Sequence, residues 1–245
     1  MKIHNHLLEE AESCPAADVR GAITPEAIVV HYTAGGRAGN SVNWLTRADD
    51  NYVSAHLVIS RTGHIFQLAP FNRKVLHAGV SVWEGREDLN QWSVGIELAN
   101  WGTVTPNGSG YVSWSGSPVS ANLVKYAVHK NGLPGYWEVY PGDQILSLIE
   151  VCSALRYSYG ISTIVGHDDV APTRKVDPGP LLNMEELREE VDRFSTFGSF
   201  EEVEDGGKKE EGDLLSALVD ACKRSSILQD AVVRVTERVK ERENG

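Results

Sequence analysis

Cysteine is scarce in this chain: Cys14, Cys152 and Cys222 are the only three, scattered over 245 residues. An odd, dispersed set gives no disulfide framework and no CxxC pair, and it fits synthesis in a reducing compartment. Basic charge is also short. Lys+Arg number 23 against 34 Asp+Glu, a formal net charge of -11. That argues against a nucleic-acid partner, which needs a basic face, and against steering onto anionic membrane surfaces. No run approaches the roughly 20 apolar residues of a membrane helix. The opening MKIHNHLLEEAESCPAADVR carries acidic residues by position 9 and lacks the apolar centre of a signal peptide. The expectation is a soluble chain made in the cytoplasm, with no integral membrane segment, that reaches a cell wall only if lysis releases it.

What is present suits a globular α/β protein. Hydrophobic residues make up 41%, enough to fill a core. AIVVHYT (27–33) is a β-branched apolar run entering a Gly-rich turn, which predicts a buried strand. Residues 41–50 predict a helix capped by Asn40 or Ser41. Residues 54–60 and 65–69 flank the turn RTGH as a hairpin, and VGIELAN (94–100) predicts another strand. Residues 102–138 are rich in Gly, Ser and aromatics and lack a helical period, so they are assigned to a long surface excursion. Ile145, Leu148, Ile149, Cys152 and Leu155 recur at helical spacing until Gly160. ISTIVG (161–166) is then a strand, and residues 183–194 a helix. Interleaved strands and helices predict a central mixed sheet flanked by helices.

The division expected is an N-terminal segment (1–22), a catalytic domain (23–197), a polar linker (198–213) and a helical extension (214–243). In the extension, Leu214, Leu218, Ala221, Ser225, Leu228, Val232, Val235 and Val239 alternate four and three apart, an unbroken heptad seam. It reads either as a short homo-oligomerising coiled coil over 214–239 or as an amphipathic helix docked on the main domain.

GHDDVAPTRKVDPGP (166–180) fits neither a helical nor a strand period and is assigned to a loop. It brings His167 to the end of one strand and Asp177 ten residues on, while His31 ends another strand. Two His and a carboxylate can bind zinc and leave a coordination position open. Spacing alone makes this a weak signal, because a lone His after a strand is more often a core or surface residue.

VVHYTAG, SAHLVI, HAGVS, GREDLNQWSVGIELAN and GHDDVAPTRKVDPGP occur in this order. Together they resemble the type 2 N-acetylmuramoyl-L-alanine amidase family over roughly 23–187. The resemblance implies a hydrolase cutting the amide between the lactyl group of N-acetylmuramic acid and L-alanine in peptidoglycan or muropeptides. It implies one Zn2+ held by His31, His167 and Asp177, where some relatives carry Cys at the last position. It also implies Glu97 as acid/base and Lys175 as a positive partner for the developing oxyanion. Substrate contacts are expected from His77, Arg86, Asn90, Trp101 and Arg174, with His77 read either as orienting substrate or as contacting the metal's surroundings. Trp83 and Trp92 are read as either substrate-facing or half core. His56 reads as cleft-lining or as a hydrogen-bonded core residue. His64 and His129 are taken as surface residues, and His4 and His6 as part of a frayed terminus. Asp168 and Asp169 are read either as orienting His167 or as solvated turn residues.

Two biological settings fit the resemblance. One is a phage or prophage endolysin that degrades the wall. The other is a cytosolic amidase that recycles anhydro-muropeptides. HAGVS and GREDLN favour the second, whereas the excursion and the C-terminal extension depart from its pattern, and the first is the reading adopted from sequence. A non-catalytic peptidoglycan-binding module is disfavoured, because binding-only relatives lose a metal ligand and this chain keeps the full set.

Overall fold

The computed structural model describes residues 1–48 and 53–198. In chain order the N-terminal strands are β1 (Ile3–His4), β2 (Leu7–Leu8) and β3 (Glu12–Ser13), followed by β4 (Ala27–Tyr32) and α1 (Ala38–Thr46). Next come β5 (Leu57–Ile59), β6 (Ile65–Gln67), β7 (Val82–Trp83), β8 (Arg86–Glu87) and β9 (Ser93–Leu98). β10 (Thr103–Asn107), β11 (Gly110–Val112), β12 (Pro118–Val119), β13 (Val124–Val128) and β14 (Pro134–Glu138) precede α2 (Gly142–Tyr159). β15 (Thr163–Gly166), the one-turn α3 (His167–Val170) and α4 (Met184–Gly198) complete the described chain.

The central six-stranded sheet has the order β15-β4-β9-β5-β6-β3, and it is mixed, as the interleaved pattern predicts. β15, β4, β9 and β5 run parallel, while β6 is antiparallel to β5. Alternation along the strands assigns the two faces. Ile28, Val30, Val94, Ile96, Leu98 and Ile164 point to one side, where they pack with the buried face of α2 and with Leu187 and Val191 of α4. Each such side chain taken from water contributes roughly 1.5–3 kcal/mol, which makes this layer the main source of stability. Ala27 and Val29 point to the other side, among Ala78, Leu89, Trp92 and Val165. That second face has small residues and polar groups, which leaves room for a site.

α2 ends at Gly160, whose φ of 72° lies in the left-handed region that glycine accepts without strain. Asn183 caps α4, its Oδ1 accepting from the backbone N–H of Glu185 and Glu186. α1 differs from expectation. It begins after Arg37, with no side-chain cap, so neither Asn40 nor Ser41 starts it.

The excursion after Trp101 is a folded unit. β10 to β14 form a second, five-stranded antiparallel sheet of order β12-β11-β10-β14-β13. β10 and β13 are largely exposed, which removes the apolar alternation that would reveal them as strands in sequence. The N-terminus is also ordered rather than frayed. β1 and β2 pair, Leu8 is buried, β3 pairs with β6, and the His6 ring meets Tyr159 Oη at 2.8 Å. The linker and heptad seam expected at 198–243 fall, beyond Gly198, outside the described residues. Among the described residues no helix is long and apolar enough to cross a membrane.

Candidate active site

Three parallel strands bring the chemistry to one sheet edge. His31 lies near the C-terminal end of β4, Glu97 near that of β9, and His167 directly after β15. The C-terminal ends of parallel strands are where open α/β sheets present ligand crevices. His31 and Glu97 are register partners, so they project from the same face.

The segment 166–180 is not the plain loop expected, because α3 opens it with one helical turn. Asp169 accepts the Gly166 N–H through Oδ2, and the Lys175 N–H reaches back to the Ala171 carbonyl. The Asp168 N–H donates to the Asp177 carbonyl at 2.8 Å. These bonds fold the segment onto itself and set Asp177, which precedes a cis peptide bond to Pro178, beside His167. The Tyr140 hydroxyl donates to the Pro178 carbonyl at 2.7 Å and fixes the far end.

The ligand atoms of His31, His167 and Asp177 lie within 4.8 Å of one another, and all three residues are buried. The Nδ1 atoms of the two His are 2.8 Å apart, and Asp177 Oδ2 lies 3.1 Å from His31 Nδ1 and 2.9 Å from His167 Nδ1. His167 Nε2 faces the Ala78 carbonyl at 3.0 Å. A carbonyl only accepts, so Nε2 carries the hydrogen and Nδ1 presents a lone pair to the centre. That lone pair and Asp177 Oδ2 face each other at 2.9 Å, a contact that a cation between them would satisfy. The N2O donor set fits a divalent ion of the zinc type. Burial holds the His31 ring down at about 4, against the upward pull of Asp177, so it is neutral as a ligand requires.

Glu97 Oε2 is buried and has no hydrogen-bond partner. Burial and the charge of Asp177 push its carboxyl up to about 8, while Lys175 pulls it down. A carboxyl so poised exchanges protons near neutral pH. Lys175 is half-buried, and its charge bears on both Glu97 and His31.

The residues expected to touch substrate divide differently. Trp101 is half-buried, and its ring lies on the loop between β4 and α1, where a Cβ on Gly36 would meet its Nε1 at 2.3 Å. His77 is buried, with Nδ1 3.0 Å from His31 Nε2. Asn90 is buried as well, and its Oδ1 accepts the N–H groups of His77 and Ala78. Arg174 donates through Nη2 to the carbonyls of Ala78 and Val80. Arg86 is paired with Glu26 and stacked over Trp92, on the exposed surface. The structure thus engages His77, Asn90, Arg174 and Arg86 with the protein itself, and three of the four support the segment facing His31, His167 and Asp177.

Other assignments resolve on geometry. His56 is a core residue: its Nδ1 accepts the Gly95 N–H and its Nε2 donates to the Arg73 carbonyl. Trp92 is core, and its Nε1 donates to the Glu87 carbonyl. His129, expected at the surface, is buried and bonded to Asp168 at 2.7 Å. Asp168 and Lys130 also pair, so Asp168 ties the second sheet to the 166–180 segment rather than orienting the His167 ring. Sequence reasoning overlooked Ser93, although Ser93, Gly95 and Glu97 share a period-two face of β9.

Comparison with known proteins gives the same family as the motifs. The family described as N-acetylmuramoyl-L-alanine amidase matches residues 21–180. The chain is 33% identical to the 1,6-anhydro-N-acetylmuramyl-L-alanine amidase AmpD of Citrobacter freundii over 56% of this chain and 56% of that protein. It therefore spans little more than half the length of that curated relative. A crystal structure of an AmpD derivative superposes with a TM-score of 0.57 at 28% identity, covering 78% of this chain and 99% of that one. The Escherichia coli amidase AmiD, solved with the substrate anhydro-N-acetylmuramic acid-L-Ala-D-gamma-Glu-L-Lys, gives 0.52 at 29% identity over 69% of this chain and 58% of that one.

Proposed function

The chain belongs to the N-acetylmuramoyl-L-alanine amidase family, and from that premise we propose that it hydrolyses the lactyl–L-alanine amide of soluble 1,6-anhydro-muropeptides, using one zinc ion. The observation that carries this reading is the convergence of His31, His167 and Asp177 beside the unpartnered Glu97 carboxyl. The soluble substrate is favoured by the relatives named above, one an anhydro-muropeptide amidase and another bound to such a substrate. It replaces the endolysin setting expected from the sequence.

His31 Nδ1, His167 Nδ1 and Asp177 Oδ2 would hold the ion. When bound, zinc polarises a carbonyl and lowers the pKa of a neighbouring water to about 7. Glu97 accepts the proton of the attacking water as the new C–O bond forms, then returns it to the alanine nitrogen as the C–N bond breaks. Glu97 ends as it began, and the products are a lactyl carboxylic acid and a free amine, which ionise to carboxylate and ammonium. Lys175 lays a positive charge by the carbonyl oxygen as it becomes negative; losing one such donor in other enzymes costs about 3–4 kcal/mol.

Mass spectrometry of anhydro-muropeptide digests tests this function. Release of a peptide with a free L-alanine amino terminus, abolished by chelation and by His31→Ala and restored to wild type by added zinc, is expected. Full release after metal removal would refute the metal role, and no release under any condition would refute the activity.

A further inference from the structure

We propose that Ser93 and His77 form a hydrogen-bond relay that fixes the tautomer of His31, making His77 a positioning residue for the metal site. The inference rests on the metal reading given above and extends it to residues beyond the three ligands.

The direction of each bond follows from what its partners can donate. The Ser93 hydroxyl lies 2.6 Å from the Leu89 carbonyl. A carbonyl has no hydrogen to give, and two oxygens this close need one between them, so the single hydroxyl hydrogen of Ser93 points at Leu89. Ser93 Oγ also lies 3.2 Å from His77 Nε2. With its hydrogen already used, Oγ accepts there, and the hydrogen belongs to His77 Nε2. A neutral imidazole carries one N–H, so His77 Nδ1 is an acceptor. It faces His31 Nε2 at 3.0 Å, which assigns the His31 hydrogen to Nε2. His31 Nδ1 is thereby left with its lone pair toward His167 Nδ1 and Asp177 Oδ2. The carbonyl of Ala78 performs the equivalent service for His167.

Packing holds the relay in place. A Cβ on Gly95 would fall 2.4 Å from His77 Cγ, so only glycine at this point of β9 admits the ring. Asn90 Oδ1 accepts the backbone N–H groups of His77 and Ala78. One side chain therefore anchors both the relay's His77 and the carbonyl that orients His167. Neutral His77, fixed by Ser93, presents an acceptor where a water would not be so constrained, and partners of this kind typically alter metal affinity by about 10–100-fold.

The test uses the full chain and two readouts other than activity. Long-range 1H–15N spectra of the metal-free protein report the His31 tautomer, and competition with a chromophoric chelator reports zinc affinity. In wild type, the His31 hydrogen should sit on Nε2. His77→Phe, which keeps a ring but offers no acceptor, should mix the tautomers and weaken zinc binding by about 10–100-fold. His77→Asn, whose amide oxygen can stand where Nδ1 stands, should recover much of that loss. Ser93→Ala, the mildest change, should show a smaller loss, which keeps the inference testable if His77→Phe fails to fold. A wild-type His31 hydrogen on Nδ1, or zinc affinities of folded His77→Phe or Ser93→Ala within about twofold of wild type, would overturn the relay. If wild type takes up no zinc, or His31→Ala binds it equally well, the metal reading itself fails. That outcome is distinct from a relay failure, which leaves His31→Ala defective.

Discussion

His31 and Glu97 sit opposite each other in register on adjacent parallel strands, β4 and β9. Registered residues of paired strands share a face, so the His31 imidazole and a carboxyl raised to about 8 lie on the same side of the sheet. Glu97→Gln keeps the shape and removes the proton carrier. Turnover should fall by about 10²–10⁴-fold, while bound zinc per chain stays at the wild-type value. Initial rates alongside metal analysis check this, and activity within tenfold of wild type would assign the proton transfer to another group.

His56 predicts a pH dependence of stability. Burial, opposed only in part by the Arg73 carbonyl, lowers its pKa from 6.5 to about 4. The unfolded chain therefore binds a proton in a range where the folded one does not. Its contribution is fully present above about pH 6.5 and is lost as pH falls through about 4, by up to about 3 kcal/mol. Urea unfolding of the metal-free protein at pH 7 and pH 5 should show a steeper loss for wild type than for His56→Asn. Equal slopes would mean that the ring accepts its proton without cost.

Asn90→Ala leaves the buried N–H groups of His77 and Ala78 without their acceptor. Each buried donor left unpaired costs about 1–3 kcal/mol. Equilibrium denaturation should show a loss of at least that size for one donor. A change below about 0.5 kcal/mol would show that water replaces the amide oxygen.

Arg174 supports the carbonyls of Ala78 and Val80, the first of which also faces His167. Arg174→Ala should lower both Tm and zinc retention, with kcat falling more than KM rises. A change confined to KM would return Arg174 to the substrate-contact role expected from its place beside Lys175.

The parts of this molecule that repeat a period were legible in the sequence. β4 and β15 are continuous buried apolar runs, β9 carries Val94, Ile96 and Leu98 at intervals of two, and α2 repeats at helical spacing, so their positions follow from pattern. The second sheet was not, because β10 and β13 are exposed on most positions and carry no apolar stripe. α3 is a single turn, too short for periodicity, and β1 to β3 hold two residues each. At the site, residue type and motif order brought forward His31, Glu97, His167, Lys175 and Asp177. They could not show where Asn90, Arg174 and His77 spend their hydrogen bonds. Those partners lie from 12 to 96 residues away in the chain, and only the folded sheet brings them together.

The choice of substrate decides the account most directly. Zinc-loaded protein is incubated in parallel with a soluble anhydro-muropeptide and with intact murein sacculi, and peptides with a new L-alanine amino terminus are counted by mass spectrometry. The account predicts cleavage of the soluble fragment at a rate well above that of sacculi, with the lactyl–L-alanine amide as the bond broken. Faster cleavage of sacculi, or release at any other bond, would contradict it.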